Sequence, residues 1–331
     1  MSEQLPVIRT ATAIAVAREH SNTLIGRGLS AIQNHDLVCA DLDIQYRQAR
    51  DVYDQITNCS WLSIKDNANW TTEKLIQLQS CFRAFQSLAK QHYGKAYYPL
   101  FKIFNGGQGV IGDDKQSSNY AQLAFDWCFD NQFQEDAEIW NDLGMMYRWG
   151  GVIEADNTFA FYWFKKSAEQ NNAQGQNRLA WMYDNGCGIE CDDKEAVAWY
   201  QKSAEQGNAE AQFYLGWMYQ VSFVSKQDDK EAVVWYKKSA EQGDARAQLN
   251  LGRMYKYGSG IEQDDEEEVY WYQKSAEQGN AEAQFYLAWM YKNGCGIEQD
   301  EEEAEYWYQK SAEQGAARDK CNLGWMPPVS E

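Results

Sequence analysis

The heptapeptide FYLGWMY occupies residues 213–219, and a nearly identical heptapeptide, FYLAWMY, occupies residues 285–291. The two copies are 72 residues apart, which is twice a period of 36 residues. The same step of 36 connects three series of residues, which are Trp127, Trp163, Trp199, Trp235, Trp271 and Trp307; Leu143, Leu179, Leu215, Leu251, Leu287 and Leu323; and Tyr147, Tyr183, Tyr219, Tyr255 and Tyr291. Three series that share one period indicate tandem structural repeats.

Each repeat predicts two antiparallel helices. Within residues 173–207, Leu179, Met182 and Tyr183 have the spacing of one helix face, which we assign to helix A. A glycine-containing turn leads to helix B, whose broad apolar stripe consists of Ala196, Trp199, Tyr200, Ser203 and Ala204. Neither helix can bury its apolar face alone, whereas stacked copies can. The sequence therefore predicts an all-α protein, a right-handed superhelical solenoid of antiparallel helix hairpins, in which Trp199 and Trp235 are largely buried.

The ends of the helices are also marked in the sequence. Gly186 stands where a left-handed glycine commonly ends a helix. Either Asp192 or Asp193 is expected to cap the N-terminus of helix B, because aspartate accepts hydrogen bonds from the first backbone N–H groups. Asn171 stands where other repeats have glycine after helix B, and asparagine tolerates the same left-handed conformation.

The segment AVAWYQKSAEQGNAEAQFYLGWMY, residues 196–219, resembles the Sel-one-like repeat, a relative of the tetratricopeptide repeat. The resemblance extends over about residues 95–326 of the chain. It implies an α-solenoid that serves as a scaffold or adaptor and holds other proteins.

Several positions depart from the repeat pattern. Ser222 replaces a glycine after helix A, which predicts a reshaped loop. Glu268 replaces the alanine of helix B. The first unit contains extra residues and is a degenerate repeat. Pro327 follows Met326 and is expected to end a final capping helix near residue 326.

Charge and periodicity together predict a domain boundary near residue 95. Residues 1–95 hold 10 Lys and Arg and 9 Asp and Glu, so the remaining residues hold 20 of the 30 basic and 40 of the 49 acidic residues. Residues 11–34, 43–58 and 71–94 show helical spacing but no repeat. We therefore predict a helical N-terminal region over residues 1–95, acting either as a cap or as a docking module, and a repeat array over residues 96–331.

Composition excludes several function classes. The net charge of −19 makes nucleic acid an improbable partner, since an acidic surface repels phosphates. No apolar run is long enough to span a membrane. The eight cysteines form no regular pairing, and the N-terminus does not read as a secretory signal, which indicates a cytoplasmic location. We find no motif for a catalytic centre, a cofactor or a metal, and the acidic segments 262–268 and 298–305 are best explained as helix caps and solvated helix starts.

The hypothesis of a partner-binding groove rests on the tryptophans of helix A. The position two residues after the core leucine points about 200° away from it, so its side chain is not needed inside the hairpin. We predict that a concave groove for a partner is lined by nine residues, which are Trp181, Phe213, Tyr214, Trp217, Arg253, Phe285, Tyr286, Trp289 and Trp325. The alternative is that these aromatic side chains fill gaps between successive A helices.

Two hypotheses for the whole protein follow. The first is a non-catalytic scaffold or adaptor that binds a peptide or protein, in signalling, secretion control or toxin neutralisation. Its partner is expected to present apolar anchors flanked by Lys and Arg, because the loops from helix A to helix B are acidic. The second is an enzyme or a regulatory subunit with chemistry in residues 1–95.

Overall fold

The computed structural model describes residues 41–53, 72–106, 114–150, 153–221 and 228–314, and these residues contain no β-strand. Their α-helices are α1 (residues 41–53), α2 (Thr72–Lys90), α3 (Tyr97–Gly106), α4 (Asp114–Asp130), α5 (Ala137–Trp149), α6 (Asn157–Glu169), α7 (Ala173–Asn185), α8 (Asp193–Glu205), α9 (Ala209–Gln220), α10 (Asp229–Glu241), α11 (Ala245–Tyr257), α12 (Asp265–Glu277), α13 (Ala281–Asn293) and α14 (Glu301–Glu313). A short 3-10 helix, Gly94–Ala96, precedes α3.

The chain divides into two compact units, residues 1–47 and residues 48–331. Helix α1 overlaps segment 43–58 and helix α2 falls within segment 71–94, and the sequence predicts helices for both segments. Segment 11–34 lies outside the described residues. The final capping helix and the Ser222 loop also lie outside them, although α9 ends at Gln220. The boundary near residue 95 stays a prediction from charge and periodicity.

Helices α5 to α14 form five hairpins. The A helices are α5, α7, α9, α11 and α13, and the B helices are α6, α8, α10, α12 and α14. Equivalent helices begin 36 residues apart, at residues 137, 173, 209, 245 and 281 for the A helices. Each helix packs against the next, both within a hairpin and between hairpins. The predicted all-α solenoid of helix hairpins is therefore confirmed.

The apolar core lies between the A and B helices. Each A helix buries its leucine completely, and Tyr200, Tyr236 and Tyr272 of the B helices are likewise fully buried. Trp235 is buried, as predicted, within the apolar cluster around Tyr200. Trp199 is only partly buried, because it lies at the edge of two apolar clusters rather than inside one.

Side-chain caps fix the start of every repeat helix. Asp192, rather than Asp193, caps α8 by accepting hydrogen bonds from the backbone N–H groups of Lys194 and Glu195. The equivalent aspartates that cap the other B helices are Asp156, Asp228, Asp264 and Asp300. Asn171 has φ 61° and Gly186 has φ 63°, so both predicted left-handed positions are confirmed.

Two recurrent hydrogen bonds explain why the segment KSAEQG repeats. In each hairpin a buried serine of the B helix donates to the first carbonyl of the A helix, as Ser239 Oγ does to the oxygen of Ala209 at 2.7 Å. Between hairpins, Gln212 Nε2 donates to the carbonyl of Ala204 at 3.0 Å. Within its own hairpin, Gln212 Oε1 accepts from Gln242 Nε2 at 2.7 Å. Because buried polar groups need partners, each repeat specifies its own register against the next.

Candidate functional site

The eight predicted groove residues that the structure describes all lie on A helices. Trp181 is on α7, Arg253 is on α11, and the aromatic groups lie on α9 (Phe213, Tyr214 and Trp217) and α13 (Phe285, Tyr286 and Trp289). Trp289 is 40% exposed, whereas the other seven are half-buried. Trp325 lies outside the described residues. The described members are thus placed at equivalent positions of successive repeats.

The two phenylalanines pack against the B helix of their own hairpin. The ring of Phe213 lies 6.0 Å from that of Tyr236, and the ring of Phe285 lies 5.5 Å from that of Tyr308, measured between centroids. Both tyrosines belong to the B helix of the same hairpin. Phe213 and Phe285 therefore contribute to packing within their own hairpins, while part of each ring stays accessible. That they fill gaps between successive A helices stays the alternative prediction.

The two groove tyrosines contact the preceding hairpin. Tyr214 stacks on Tyr200 at a centroid distance of 5.2 Å, and Tyr286 stacks on Tyr272 at 5.1 Å. Because Tyr200 and Tyr272 are fully buried, each stack extends from the core to the surface of the A helices. The rings of Tyr214 and Tyr286 are consequently ordered by stacking on buried tyrosines.

The tryptophans differ in how deeply they are packed. Trp181 and Trp217 each pack at the edges of two apolar clusters. Trp289 is the most exposed of the three. Substitution of Trp217 should therefore disturb the fold as well as any binding, whereas substitution of Trp289 should mainly affect the surface.

Cationic side chains lie over these aromatic rings, and Arg148, Arg246 and Lys256 were not among the predicted groove residues, whereas Arg253, which lies over Tyr286, was. Arg148 Cζ lies 4.7 Å from the centroid of Trp181, and Arg246 Cζ lies 4.2 Å from that of Phe213. Lys256 Nζ lies 5.3 Å from the centroid of Trp289. These distances are typical of cation–π interactions. The A-helix face is thus a mixed aromatic and cationic surface, not a bare aromatic one.

Most of these cations also have acidic partners. Arg246 pairs with Asp244 at 2.6 Å, and Arg253 pairs with Glu282. Lys256 Nζ lies 3.8 Å from Glu268 Oε1. The central and C-terminal part of the face is therefore close to electrically neutral.

Glu268 is an unusual residue of this surface. The other four repeats have a buried alanine at this position of the B helix, and the Glu268 side chain is buried as well. Burial raises the pKa of Glu268 to about 7, although the Lys256 ammonium opposes the rise. Neither Glu268 Oε1 nor the hydroxyl of Tyr272 has a hydrogen-bond partner. A carboxylate here carries a desolvation cost that alanine would not.

A second buried polar group joins the first two A helices. Asp142 of α5 is buried, and this burial raises its pKa to about 6, while Arg50 and Arg178 oppose the rise. Arg178 of α7 donates Nη1 to Asn141 Oδ1 at 2.6 Å. Helices α5 and α7 are therefore joined by a hydrogen bond between polar side chains, whereas later hairpins are joined by stacked tyrosine rings.

The acidic residues of the A-to-B loops form an acidic edge at the N-termini of α12 and α14. Asp264 and Asp300 cap α12 and α14, and the residues that follow them, Asp265 to Glu267 and Glu301 to Glu303, lie mostly in solvent. Helix N-termini stabilise such negative charge. The capping role predicted for the two acidic segments is therefore confirmed for Asp264 and Asp300.

Within the described residues, no group of three His, Cys, Asp or Glu side chains is arranged to hold a metal ion. None of their helices is both long and apolar enough to cross a bilayer.

Comparison with known proteins agrees with this architecture. The Sel1 repeat model matches five consecutive segments, residues 141–172, 173–208, 209–244, 245–280 and 281–315. A Sel1 repeat protein from Oxalobacter formigenes is similar at 34% identity and a TM-score of 0.55, covering 61% of this chain and 79% of that one. A protective antigen of uropathogenic Escherichia coli strains with an SLR fold is similar at 32% identity and a TM-score of 0.56, covering 85% of this chain and 58% of that one. No curated protein matches the chain.

Proposed function

We propose that this chain, which belongs to the Sel1 repeat family, is a non-catalytic scaffold that binds a peptide or protein segment along a groove formed by its A helices. The observation that carries the proposal is the exposure of Trp289, at 40%, on a face of α13 that the hairpin core does not use. Large aromatic side chains that are rigid and accessible are the commonest anchors of protein interfaces.

The surroundings of Trp289 support this proposal. The ammonium of Lys256 lies within 5.7 Å of the ring centroids of Tyr257, Tyr286 and Trp289. Tyr257 is 68% exposed, so two accessible rings flank one cation. Such a surface offers large apolar contact area at a low entropic cost, because the rings are already ordered.

The acidic edge indicates the chemistry of the partner. Next to this aromatic surface, the A-to-B loop that follows Tyr257 contains Glu262, Asp264 and Asp265, all of which are exposed. We infer a partner segment with apolar or aromatic anchors flanked by Lys and Arg. The anchors supply most of the affinity, and the acidic edge increases the association rate at low salt.

The location and the alternative function remain proposals as well. Five cysteines in the described residues are free thiols, which supports a cytoplasmic location. An enzyme or regulatory subunit with chemistry in residues 1–95 is not favoured by any observation, and the structure describes only part of that region.

Peptide display against the full chain tests the scaffold function. We expect a library of random peptides to yield binders that share an apolar or aromatic anchor. Trp289→Ala should weaken their binding by at least about tenfold, as for an interface hot spot, and should leave the melting temperature nearly unchanged. Tyr270→Ala is the matched control, since Tyr270 is 49% exposed but lies on the B helix α12. The groove proposal fails if no binder is selected, or if both variants bind as the native chain does.

A further inference from the structure

Among the described residues, the arginines of the repeat array are confined to the A helices. Residues 96–331 contain five arginines, Arg148, Arg178, Arg246, Arg253 and Arg318, and the first four fall within the described residues. All four lie on α5, α7 or α11, whereas the B helices contain lysine as their only basic residue. Arginine differs from lysine because its planar guanidinium stacks on rings and binds carboxylates through two parallel hydrogen bonds.

Three of these four arginines have polar partners. Arg246 pairs with Asp244, Arg253 pairs with Glu282, and Arg178 donates to Asn141. Arg148 makes no ion pair or hydrogen bond through its side chain to any residue that the structure describes. Its Nε is buried without a hydrogen-bond partner, while the side chain as a whole is half-buried. Arg148 is therefore the guanidinium of this face whose hydrogen-bonding capacity is unused.

Two indole rings hold Arg148 in place. Arg148 Cζ lies 4.7 Å from the ring centroid of Trp181 on α7 and 5.2 Å from that of Trp149. Trp149 is itself 53% exposed. A guanidinium that is already stacked loses less conformational entropy when it binds, so the arrangement is preorganised. Among residues 96–331 the acidic groups outnumber the basic ones by 40 to 20, which makes an arginine without an acidic partner conspicuous.

We propose that Arg148, Trp149 and Trp181 form a subsite for the side-chain carboxylate of an acidic residue in the bound partner segment. The inference rests on the proposed function, because the subsite lies on the same A-helix series as Trp289. The two terminal nitrogens of Arg148 donate hydrogen bonds to the carboxylate oxygens, and neighbouring apolar groups of the partner contact Trp149. The occupant is an internal Asp or Glu, since the face continues from α5 through α13.

The subsite also gives the partner a direction. Later cations of the same face are already neutralised by Asp244, Glu282 and Glu268. The acidic residue of the partner therefore lies near α5, and its apolar anchor lies near Trp289 on α13. Basic residues of the same partner face the acidic loops.

The experiment begins with the peptide display described above, in which displayed peptides have no free C-terminal carboxylate. We expect binders to contain Asp or Glu at a fixed spacing from the apolar anchor. One binder is then synthesised with a C-terminal amide, as a Glu peptide and as its Gln counterpart. The Glu peptide should bind about 10- to 100-fold more tightly, as expected for a charge-assisted hydrogen-bonded pair.

Variants of the full chain assign this preference to one residue. Arg148→Gln should abolish the difference between the Glu and Gln peptides, and Arg148→Lys should keep only part of it, because lysine lacks the planar fork. Lys238→Gln is the matched control and should preserve the difference, since Lys238 Nζ also lies over an indole ring, 3.8 Å from the centroid of Trp235, but belongs to the B helix α10. Circular dichroism should show that Arg148→Gln remains folded, because Arg148 is not part of the buried core.

The outcomes separate this inference from the proposed function. Binders that lack acidic residues but depend on Trp289 would overturn the carboxylate subsite and leave the scaffold function intact. A Glu preference that survives Arg148→Gln would overturn the subsite, as would binding that requires a free C-terminus. Absence of any binder would overturn both proposals.

Discussion

Replacing Trp235 by alanine is expected to lower the free energy of unfolding by about 3–5 kcal/mol, the usual range for removing a large ring from a core. Trp235 is 8% exposed and packs in the apolar cluster that contains Tyr200, Leu215 and Met218. Trp199 occupies the equivalent position one repeat earlier but is only partly buried. Trp199→Ala should therefore lower the free energy of unfolding by a smaller amount.

Chemical denaturation followed by circular dichroism measures both changes. Because each hairpin packs on its neighbours, the loss in Trp235→Ala should spread to adjacent helices. Hydrogen exchange should show reduced protection of amides in α9 and α11 as well as in α10. Equal destabilisation by the two variants would contradict the burial pattern, and exchange changes confined to α10 would contradict coupling between repeats.

The hairpin architecture could be predicted because it depends on short-range patterns. The face spacing of Leu179 and Tyr183, the cap at Asp192 and the left-handed Gly186 each involve residues within one or two helical turns. Such signals do not need knowledge of tertiary contacts. The choice between Asp192 and Asp193 required the structure, because both residues satisfy the same sequence pattern.

Three cations of the A-helix face, Arg148, Arg246 and Lys256, were not predicted, because their aromatic partners belong to neighbouring repeats. Arg148 and Trp181, Phe213 and Arg246, and Lys256 and Trp289 are each separated by 33 residues. This separation is the repeat period of 36 less three residues, which is about one helical turn. A search for basic and aromatic residues at this spacing would have found all three pairs once the hairpin register was known.

The groove aromatics were predicted as a uniform row, but the structure places them in different environments. Tyr214 and Tyr286 stack on buried tyrosines, and Phe213 and Phe285 contact the following B helix. The sequence predicts on which face of a helix a side chain lies. It does not predict whether the adjacent hairpin then buries that side chain. The structure, and not the sequence, therefore shows that Trp289 is more exposed than the other described groove residues.

Replacing Glu268 by alanine is expected to stabilise the protein at pH 8, with a gain that disappears in acid. Burial raises the pKa of Glu268 from 4.5 to about 7, while Lys256 limits the rise. Below pH 4.5 the carboxyl is protonated in both the folded and the unfolded chain. As the pH rises through about 7, the folded chain must ionise a buried group that the unfolded chain ionises in water. The free energy of unfolding of the native chain therefore falls, relative to that of Glu268→Ala, as the pH rises from about 4.5 through about 7.

The difference in unfolding free energy between Glu268→Ala and the native chain should grow by up to about 3 kcal/mol between pH 4.5 and pH 8, the equivalent of the pKa shift. Glu268→Gln should show the same pH dependence, because it also removes the ionisable group. Glu266→Ala is the matched control, since its exposed side chain lies in the first turn of the same helix. Denaturation curves at several pH values provide the measurement. A difference that is constant with pH would show that Glu268 ionises normally, and a larger stability of the native chain at pH 8 would show that its pair with Lys256 outweighs desolvation.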